Sequence, residues 1–316
     1  MKRTKTTMVS LVEDYLAVRR KMGFALRIAG DRLLAFGRFA DQAGHSGPVT
    51  FELAVRWAQA MPCHSRLTSA WRLQTLRPFL KYRSQFDPGT AIVPRSFFGS
   101  THRRLVPHIY TEQEIVALLQ ATDHLVPTNG LRPATYRTLF GLLASTGLRI
   151  SEALHLRPQE VDFAHGLLTV SQTKFRKSRL VPLHPTTVAA LKQYAEVQQR
   201  KLGRQGTETF FVSDRGKPLP YTTVCNTFVN LRRGLSWSGR GGYALPRIHD
   251  IRHTFITRNL LDSYHRNQLP DHVVDTLSTY VGHAKVTDTY WYVSATPEIM
   301  AVAAKRFAGF IDGGGQ

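Results

Sequence analysis

Apolar residues along the first hundred positions recur at helical spacing. Met8, Leu11, Val12, Tyr15 and Leu16 return every three or four residues and Gly23 follows as a C-cap, which predicts a helix over 8–22. A second helix runs through "DRLLAFGRFADQAG" to Gly44. Thr50 is placed to N-cap a third, "FELAVRWAQAM", which Pro62 ends. A fourth spans roughly residues 65–86, with Leu67, Trp71 and Leu76 on one side and Arg66, Ser69 and Arg72 on another. Over 87–110 prolines, glycines and a basic cluster interrupt every candidate element, so this stretch reads as an extended linker.

Beyond it the period changes. "TEQEIVALLQAT" opens with a capping box, Thr111 as N-cap and Glu114 three residues later, and a helix follows near 133–147. "VDFAHGLLTVSQTK" and "SRLVPL" then alternate with the period of strands, with Gly166 and the Phe175–Lys177 stretch at the turns. From 185 onward the pattern is mostly helical again. The expected fold is therefore mainly α with a small antiparallel β-sheet. A helical domain covers 1–88, a linker 89–110, and a mixed α/β domain with a C-terminal helix and tail covers 111–316.

Composition narrows the setting. The longest apolar runs, such as "LFGLLASTGL", fall short of the roughly 18 residues a membrane span needs. No apolar signal core follows the basic N-terminus. The cysteines, Cys63 and Cys225, suggest no disulfide framework, which fits a cytoplasmic protein. Charge changes the picture most. Against 22 acidic residues stand 42 Lys and Arg, a net of +20, and residues 1–110 alone hold eighteen basic and six acidic side chains. Such an excess favours a polyanionic partner, because each phosphate neutralised releases counterions. A membrane surface is the rival, but the chain shows neither a basic amphipathic helix nor a lipidation motif. Double-stranded DNA is the expected partner and nucleoid association the expected location. Arg66, Arg72, Arg103, Arg104, Arg176 and Lys177 are the candidate DNA contacts, a solvated surface being the plainer reading of any one of them.

Four separated pieces carry candidate chemistry. In "STGLRISEAL", Gly147 can end one helix and Arg149 begin the next. "TVSQTKFRKSRLVPL" presents Lys174 at the tip of a hairpin, crowded by Arg176, Lys177 and Arg179. "RIHDIRHTFITRNLL" places His249 and Arg252 three apart, on one helix face, beside the apolar Ile251, Phe255 and Ile256. "YVGHAKVTDTYWYV" holds His283 and, nine residues on, Tyr292. Taken singly, Arg149 reads as a capping residue and His249 as a structural histidine. Together and in this order, the four pieces resemble the tyrosine recombinase, or phage integrase, family over about residues 108–300. "GLRISEAL" looks like its first Arg box, "HDIRHTF" its His-x-x-Arg box, and "VGH" with "TDTYWYV" its last His and nucleophilic Tyr.

The chemistry explains the residue types. Arg149 and Arg252 can clamp the non-bridging oxygens of a phosphodiester in a fixed fork, which an ammonium does less well. His249 and His283 can add donors, and one of them can assist in removing the phenol proton. Tyrosine has a reference pKa near 10, so only about 0.1% is phenolate at neutral pH and the nucleophile needs activation. Lys174 is the natural acid for the leaving 5′ oxygen. The resemblance implies a 3′-phosphotyrosyl intermediate with no cofactor, metal or nucleotide consumed, on paired DNA sites that bring four protomers together, with related recombinases as conceivable co-partners. A mobile element is the expected setting, for integration, excision or transposition. The rivals are a topoisomerase-like relative and a DNA-binding accessory protein without turnover.

Some residues stay outside this set or open. His253, about 100° round the helix from Arg252, reads as structural. Glu152 is either a group orienting Arg149 or an ordinary surface carboxylate, and Asp250 belongs to no metal-ligand cluster. Tyr290 and Tyr280 are rival nucleophiles. The segment between Arg252 and His283 is longer than the family pattern, with "NQLPDH" as an inserted turn, and Tyr280 stands where the family usually has leucine. A second insertion, "GLSWSGRGGYALP", reads as a loop near DNA or a disordered surface loop. The C-terminal helix is expected either to dock on a neighbouring subunit or to pack on its own domain.

Overall fold

The computed structural model describes residues 7–60, 65–101, 104–171, 178–203, 206–266, 268 and 270–295, with 299–301, 304 and 308 beyond. The chain divides into two compact units, Met1–Arg104 and Leu105–Gln316.

The first unit holds four helices, α1 (Met8–Lys21), α2 (Arg27–Gln42), α3 (Phe51–Gln59) and α4 (Arg66–Arg83). Local capping fixes where three of them start: Thr7, Thr50 and Ser65 accept the N–H groups of Ser10, Leu53 and Thr68. Asp41, at the end of α2, reaches back to the amides of Met8 and Val9, which ties the two helices together. At the crossing, Gly37 lets α2 approach the α1 backbone, since a Cβ there would stand 3.0 Å from Val9 Cα. Val12, Leu16, Phe36, Trp57, Leu76 and Phe79 fill the core.

In α4 the buried stripe is Ser69, Ala70, Leu73, Leu76, Phe79 and Leu80. This corrects the expected faces. Trp71 is 45% exposed while Ser69 is 1% exposed, because small residues let α4 lie close to its neighbours where an indole would not fit. The Trp71 indole N–H instead donates to the Thr101 carbonyl. Together with Arg66 to Phe98 and Arg77 to Val93, this bond holds residues 93–101 against the helix. Residues 89–104 of the expected linker thus belong to the first unit, and 105–110 to the second.

The second unit adds α5 (Glu112–Ala121), α6 (Arg132–Thr146), α7 (Ile150–Leu154), α8 (Pro185–Leu202), α9 (Tyr221–Gly234), α10 (Ile248–His265), α11 (Pro270–Val281) and α12 (Thr287–Ala295). Its sheet is antiparallel in the order β1 (Val161–Asp162), β2 (Leu167–Val170), β3 (Arg179–Pro182). Leu168 pairs with both Val161 and Val181, which puts these side chains on the buried face. The fold is mainly helical with a small antiparallel sheet. Leu139, Phe140, Leu143, Leu191, Phe211 and Phe228 are among the residues of its main core. A second apolar cluster joins α10, α11 and α12 through Ile256, Leu260, Val274, Leu277, Val281 and Tyr292.

The stretch before α5 pins α10. Tyr110 accepts from Arg258 through its carbonyl, donates its hydroxyl to the Arg247 carbonyl, and donates its amide to Thr254. The "GLSWSGRGGYALP" insertion is not a disordered surface loop, one of its two readings, but is tied to the stretch before α5. Gly242 donates to the Val106 carbonyl, and Arg240 forks onto Glu114 and reaches the Ile109 carbonyl. A Cβ at Gly241 would collide with the Val106 carbonyl, so the glycines serve close backbone packing. Among the described residues, no helix is long and apolar enough to cross a membrane.

Candidate active site

Two tight turns and one helix create the site. Gly147 ends α6 in the left-handed conformation (φ +62), where Phe255 leaves no room for a Cβ. The chain re-enters α7 at once, with Arg149 at its N-cap and the Arg149 amide bonded to the Glu152 carboxylate at 3.0 Å. Gly282 (φ +68) ends α11 in the same way and leads into His283. The helix α10 runs beside both turns. Its start is fixed by Asp250, fully buried, which takes the Arg247 amide and guanidinium at 2.8 and 2.6 Å. Asp250 is thus a helix cap.

Arg252 is only 3% exposed. Its two terminal nitrogens donate to the carbonyls of Gly147 and Val281, each at 2.7 Å, so one guanidinium bridges both turns. Burial, and then the charge of Arg149, pull it down to about 9, still cationic at neutral pH. Arg149 donates to Glu152 at 2.8 Å and to the Gly282 carbonyl at 2.9 Å. His249 has a solvent-open face but sits among many atoms. Lost hydration, then Arg252 and Arg247, hold it near 4. His283 shares a 2.7 Å hydrogen bond with Thr289 and is likewise held near 4 by burial and then by Arg252 and Arg149. Both imidazoles are therefore neutral at pH 7. Tyr292 is 4% exposed, and its ring lies nearly parallel to that of His283, 6.4 Å away and tilted by 12°.

The structure thus brings Arg149, His249, Arg252, His283 and Tyr292 together, each near enough to influence the charge of another. Lys174, Arg176, Lys177 and Arg103 lie outside the described residues. The remaining candidates are on the first unit: Arg66 and Arg104 are exposed, whereas Arg72 is half-buried with its guanidinium 4.2 Å above the Trp57 ring. The rival tyrosines are occupied elsewhere. Tyr280 stacks on Phe255 and donates to the Pro182 carbonyl, and exposed Tyr290 donates to Asp271.

Three further residues join the site. His253 Nδ1 lies 2.6 Å from the Tyr292 hydroxyl, and its ring is 4.8 Å from that of His249. His249 and His253 are four residues apart, a spacing that puts them on one helix face and was available as a signal. Glu152 is the group that orients Arg149, and Arg179 grips the same carboxylate through two nitrogens at 2.8 and 3.1 Å. Arg179 also donates to the Tyr280 carbonyl at 2.8 Å, so β3 is tied to the turn before His283.

That tie gives a test of the turn. A Cβ on Gly282 would stand 2.6 Å from the Arg179 guanidinium and would also require φ +68 of a residue with a side chain. Gly282→Ala is expected to cost about 1–3 kcal/mol, read as a lowered midpoint in urea unfolding. A midpoint equal to that of the unsubstituted chain would mean that the turn is not held as described.

The sequence profile of the phage integrase family matches residues 109–298. The chain is 37% identical to y4rB of Sinorhizobium fredii, which carries an integrase/recombinase designation, over 95% of this chain and 97% of that one. It is 30% identical to the tyrosine recombinase XerC of Chlamydia caviae, over 72% of this chain and 67% of that one. Among solved structures, the Tn1549 transposon integrase in complex with transposon right end DNA shares the fold. Its TM-score is 0.66 at 19% identity, covering 96% of this chain and 100% of that one. The profile match and the full-length identity to y4rB agree with the constellation on α7, α10 and α12, and the chain belongs to the phage integrase family of tyrosine recombinases, whose reaction is site-specific DNA recombination.

Proposed function

We propose that this chain cuts and rejoins DNA at a specific site with Tyr292 as nucleophile. Arg149 and Arg252 hold the non-bridging oxygens of the scissile phosphate, and His249 and His283 donate to the same oxygens. Lys174 protonates the departing 5′ oxygen. The product of the first step is a 3′-phosphotyrosyl link with a free 5′-hydroxyl, and attack by a partner strand's 5′-hydroxyl reseals the DNA without metal or nucleotide. Arg66, Arg72, Arg103, Arg104, Arg176 and Lys177 contact the duplex, and four protomers assemble on two paired sites.

The observation that carries this reading is an electrostatic imbalance around one phenol. Among the described residues, Arg149, Arg179 and Arg252 converge with one carboxylate, Glu152, between them. A surplus of buried positive charge is costly unless an anion completes it. A phosphodiester is the anion that fits a guanidinium pair beside a tyrosine. The setting is a mobile element, because the full-length likeness is to an integrase/recombinase and the likeness to XerC is shorter.

Covalent trapping tests this reading. The full chain is incubated in EDTA with nicked duplexes tiling the DNA around its gene, then denatured, and the DNA-linked peptide is identified by mass spectrometry. The expected result is an adduct on Tyr292 that persists in Tyr290→Phe. An adduct on Tyr290 would move the nucleophile. Binding without any adduct would favour an accessory DNA-binding role, and relaxation without strand exchange a topoisomerase-like one.

A further inference from the structure

The nucleophile's proton needs a destination, and the sequence offered His249 or His283. The geometry points elsewhere. His283 spends Nδ1 on Thr289, whereas His253 Nδ1 lies 2.6 Å from the Tyr292 hydroxyl, within the range of a short, strong hydrogen bond. We propose that His253 is the base that takes the Tyr292 proton as the phosphorus–oxygen bond forms, a step that rests on the reading of Tyr292 as nucleophile.

The surroundings make His253 a base that waits for substrate. It is half-buried, and its ring touches those of His249, Trp291 and Tyr292. The ionisable groups facing it are His249, Arg247 and Arg252 on or beside its own helix, His283 on the turn after α11, and Tyr292 on α12. Lost hydration, then repulsion from His249 once that ring is protonated and from the Arg247 and Arg252 guanidiniums, hold it down to about 2, so it is neutral in the free protein. A neutral imidazole carrying its proton on Nε2 offers Nδ1 as an acceptor. A bound phosphodiester brings negative charge against Arg252 and Arg149, and this offsets the cations that disfavour an imidazolium. Proton acceptance therefore becomes easier when DNA is in place than in the free protein, and an idle phenolate is avoided before that.

The step balances. The phenolic proton passes to His253 Nδ1, the tyrosine oxygen bonds to phosphorus, the bond from phosphorus to the 5′ oxygen breaks, and that oxygen takes a proton from Lys174. On resealing, the attacking 5′-hydroxyl returns its proton to Lys174, the tyrosine oxygen leaves phosphorus, and the imidazolium gives its proton back to it.

The experiment uses the full chain on the DNA that yields the Tyr292 adduct. His253→Asn places an amide near the position of Nδ1, so it keeps a hydrogen bond to the Tyr292 hydroxyl but cannot act as a base. Single-turnover cleavage should fall about 10²-fold or more at neutral pH, with DNA affinity retained. The deficit should shrink about tenfold for each pH unit of increase, as hydroxide ionises the phenol instead. Replacing Tyr292 by a more acidic fluorinated tyrosine should restore most of the rate in the His253→Asn chain. A deficit that is the same at every pH and unmoved by the fluorinated phenol would reduce His253 to a positioning residue and overturn the proposal, as would an unimpaired His253→Asn. If circular dichroism shows that His253→Asn does not fold, His253→Gln is carried through the same comparison. Absence of any Tyr292 adduct with the unsubstituted chain would instead remove the nucleophile assignment on which the step rests.

Discussion

Arg252→Lys is expected to lower DNA cleavage by about 10²–10³, while the substituted chain still folds and still binds DNA. Arg252 does two things at once. Its terminal nitrogens bridge the carbonyls of Gly147 and Val281, each at 2.7 Å, and so set the spacing between the turn that carries Arg149 and the turn that carries His283. Its charge is buried at 3% exposure, and in the proposed function it meets a non-bridging oxygen of the scissile phosphate. An ammonium is a single point donor: it can meet one of the two carbonyls or the phosphate, but it has no planar fork to do both. A buried lysine also sheds its proton more readily than arginine, which removes the charge from the site. Stability changes less than rate. Losing one charge-assisted bond costs about 1.5–3 kcal/mol, and relief of a buried cation beside Arg149 offsets part of that. Single-turnover cleavage and urea unfolding on the same preparation decide the matter. A cleavage rate within a few-fold of the unsubstituted chain would mean that the fork does not clamp the phosphate.

What the sequence made legible was local or linear. Thr50 and the Thr111–Glu114 box are where the structure caps α3 and α5, because a cap is a contact between residues three apart and needs no knowledge of the fold. The site boxes were readable for a related reason: Arg149, His249, Arg252, His283 and Tyr292 each stand beside a glycine turn or on a patterned helix. What stayed hidden depends on which surface covers which. His253 was set aside because it lies about 100° from Arg252. That angle describes α10 alone, and the Tyr292 hydroxyl arrives on α12, from the other end of a long intervening segment. Arg179 was one of several hairpin cations, and only the fold shows that it reaches Glu152 and the Tyr280 carbonyl. Trp71 misled through size. An aromatic residue suggests core, yet α4 packs on Ser69 and Ala70 and leaves the indole outside. In the "GLSWSGRGGYALP" insertion the glycines suggested a disordered surface loop as one reading, yet glycine can mark close packing as well as freedom.

Glu152→Ala is expected to destabilise the second unit by about 3 kcal/mol, because it leaves two half-buried cations, Arg149 and Arg179, without their shared anion. The carboxylate is 6% exposed and accepts from Arg149 at 2.8 Å and from Arg179 at 2.8 and 3.1 Å. Burial alone would push its pKa up. The Arg179 bonds and charge, with the Arg149 amide and guanidinium behind them, outweigh burial and hold it at about 2, against an ordinary value of 4.5. A folded pKa below the unfolded one means that the stabilisation is fully present above about pH 4.5 and is lost as pH falls toward 2. A shift of this size corresponds to roughly 3 kcal/mol. Glu114 is also held at about 2, with Arg240 the chief partner that overcomes its burial, so acid unfolding of the unsubstituted chain reports both groups in one window. The difference between the unsubstituted chain and Glu152→Gln isolates one of them. That difference should be large at neutral pH, shrink below about pH 4.5 and vanish near pH 2. A difference that stays constant through acid would mean that Glu152 is not the anion of the network. In that case the aim of Arg149 at the Gly282 turn, and with it the geometry of the phosphate clamp, would need another support.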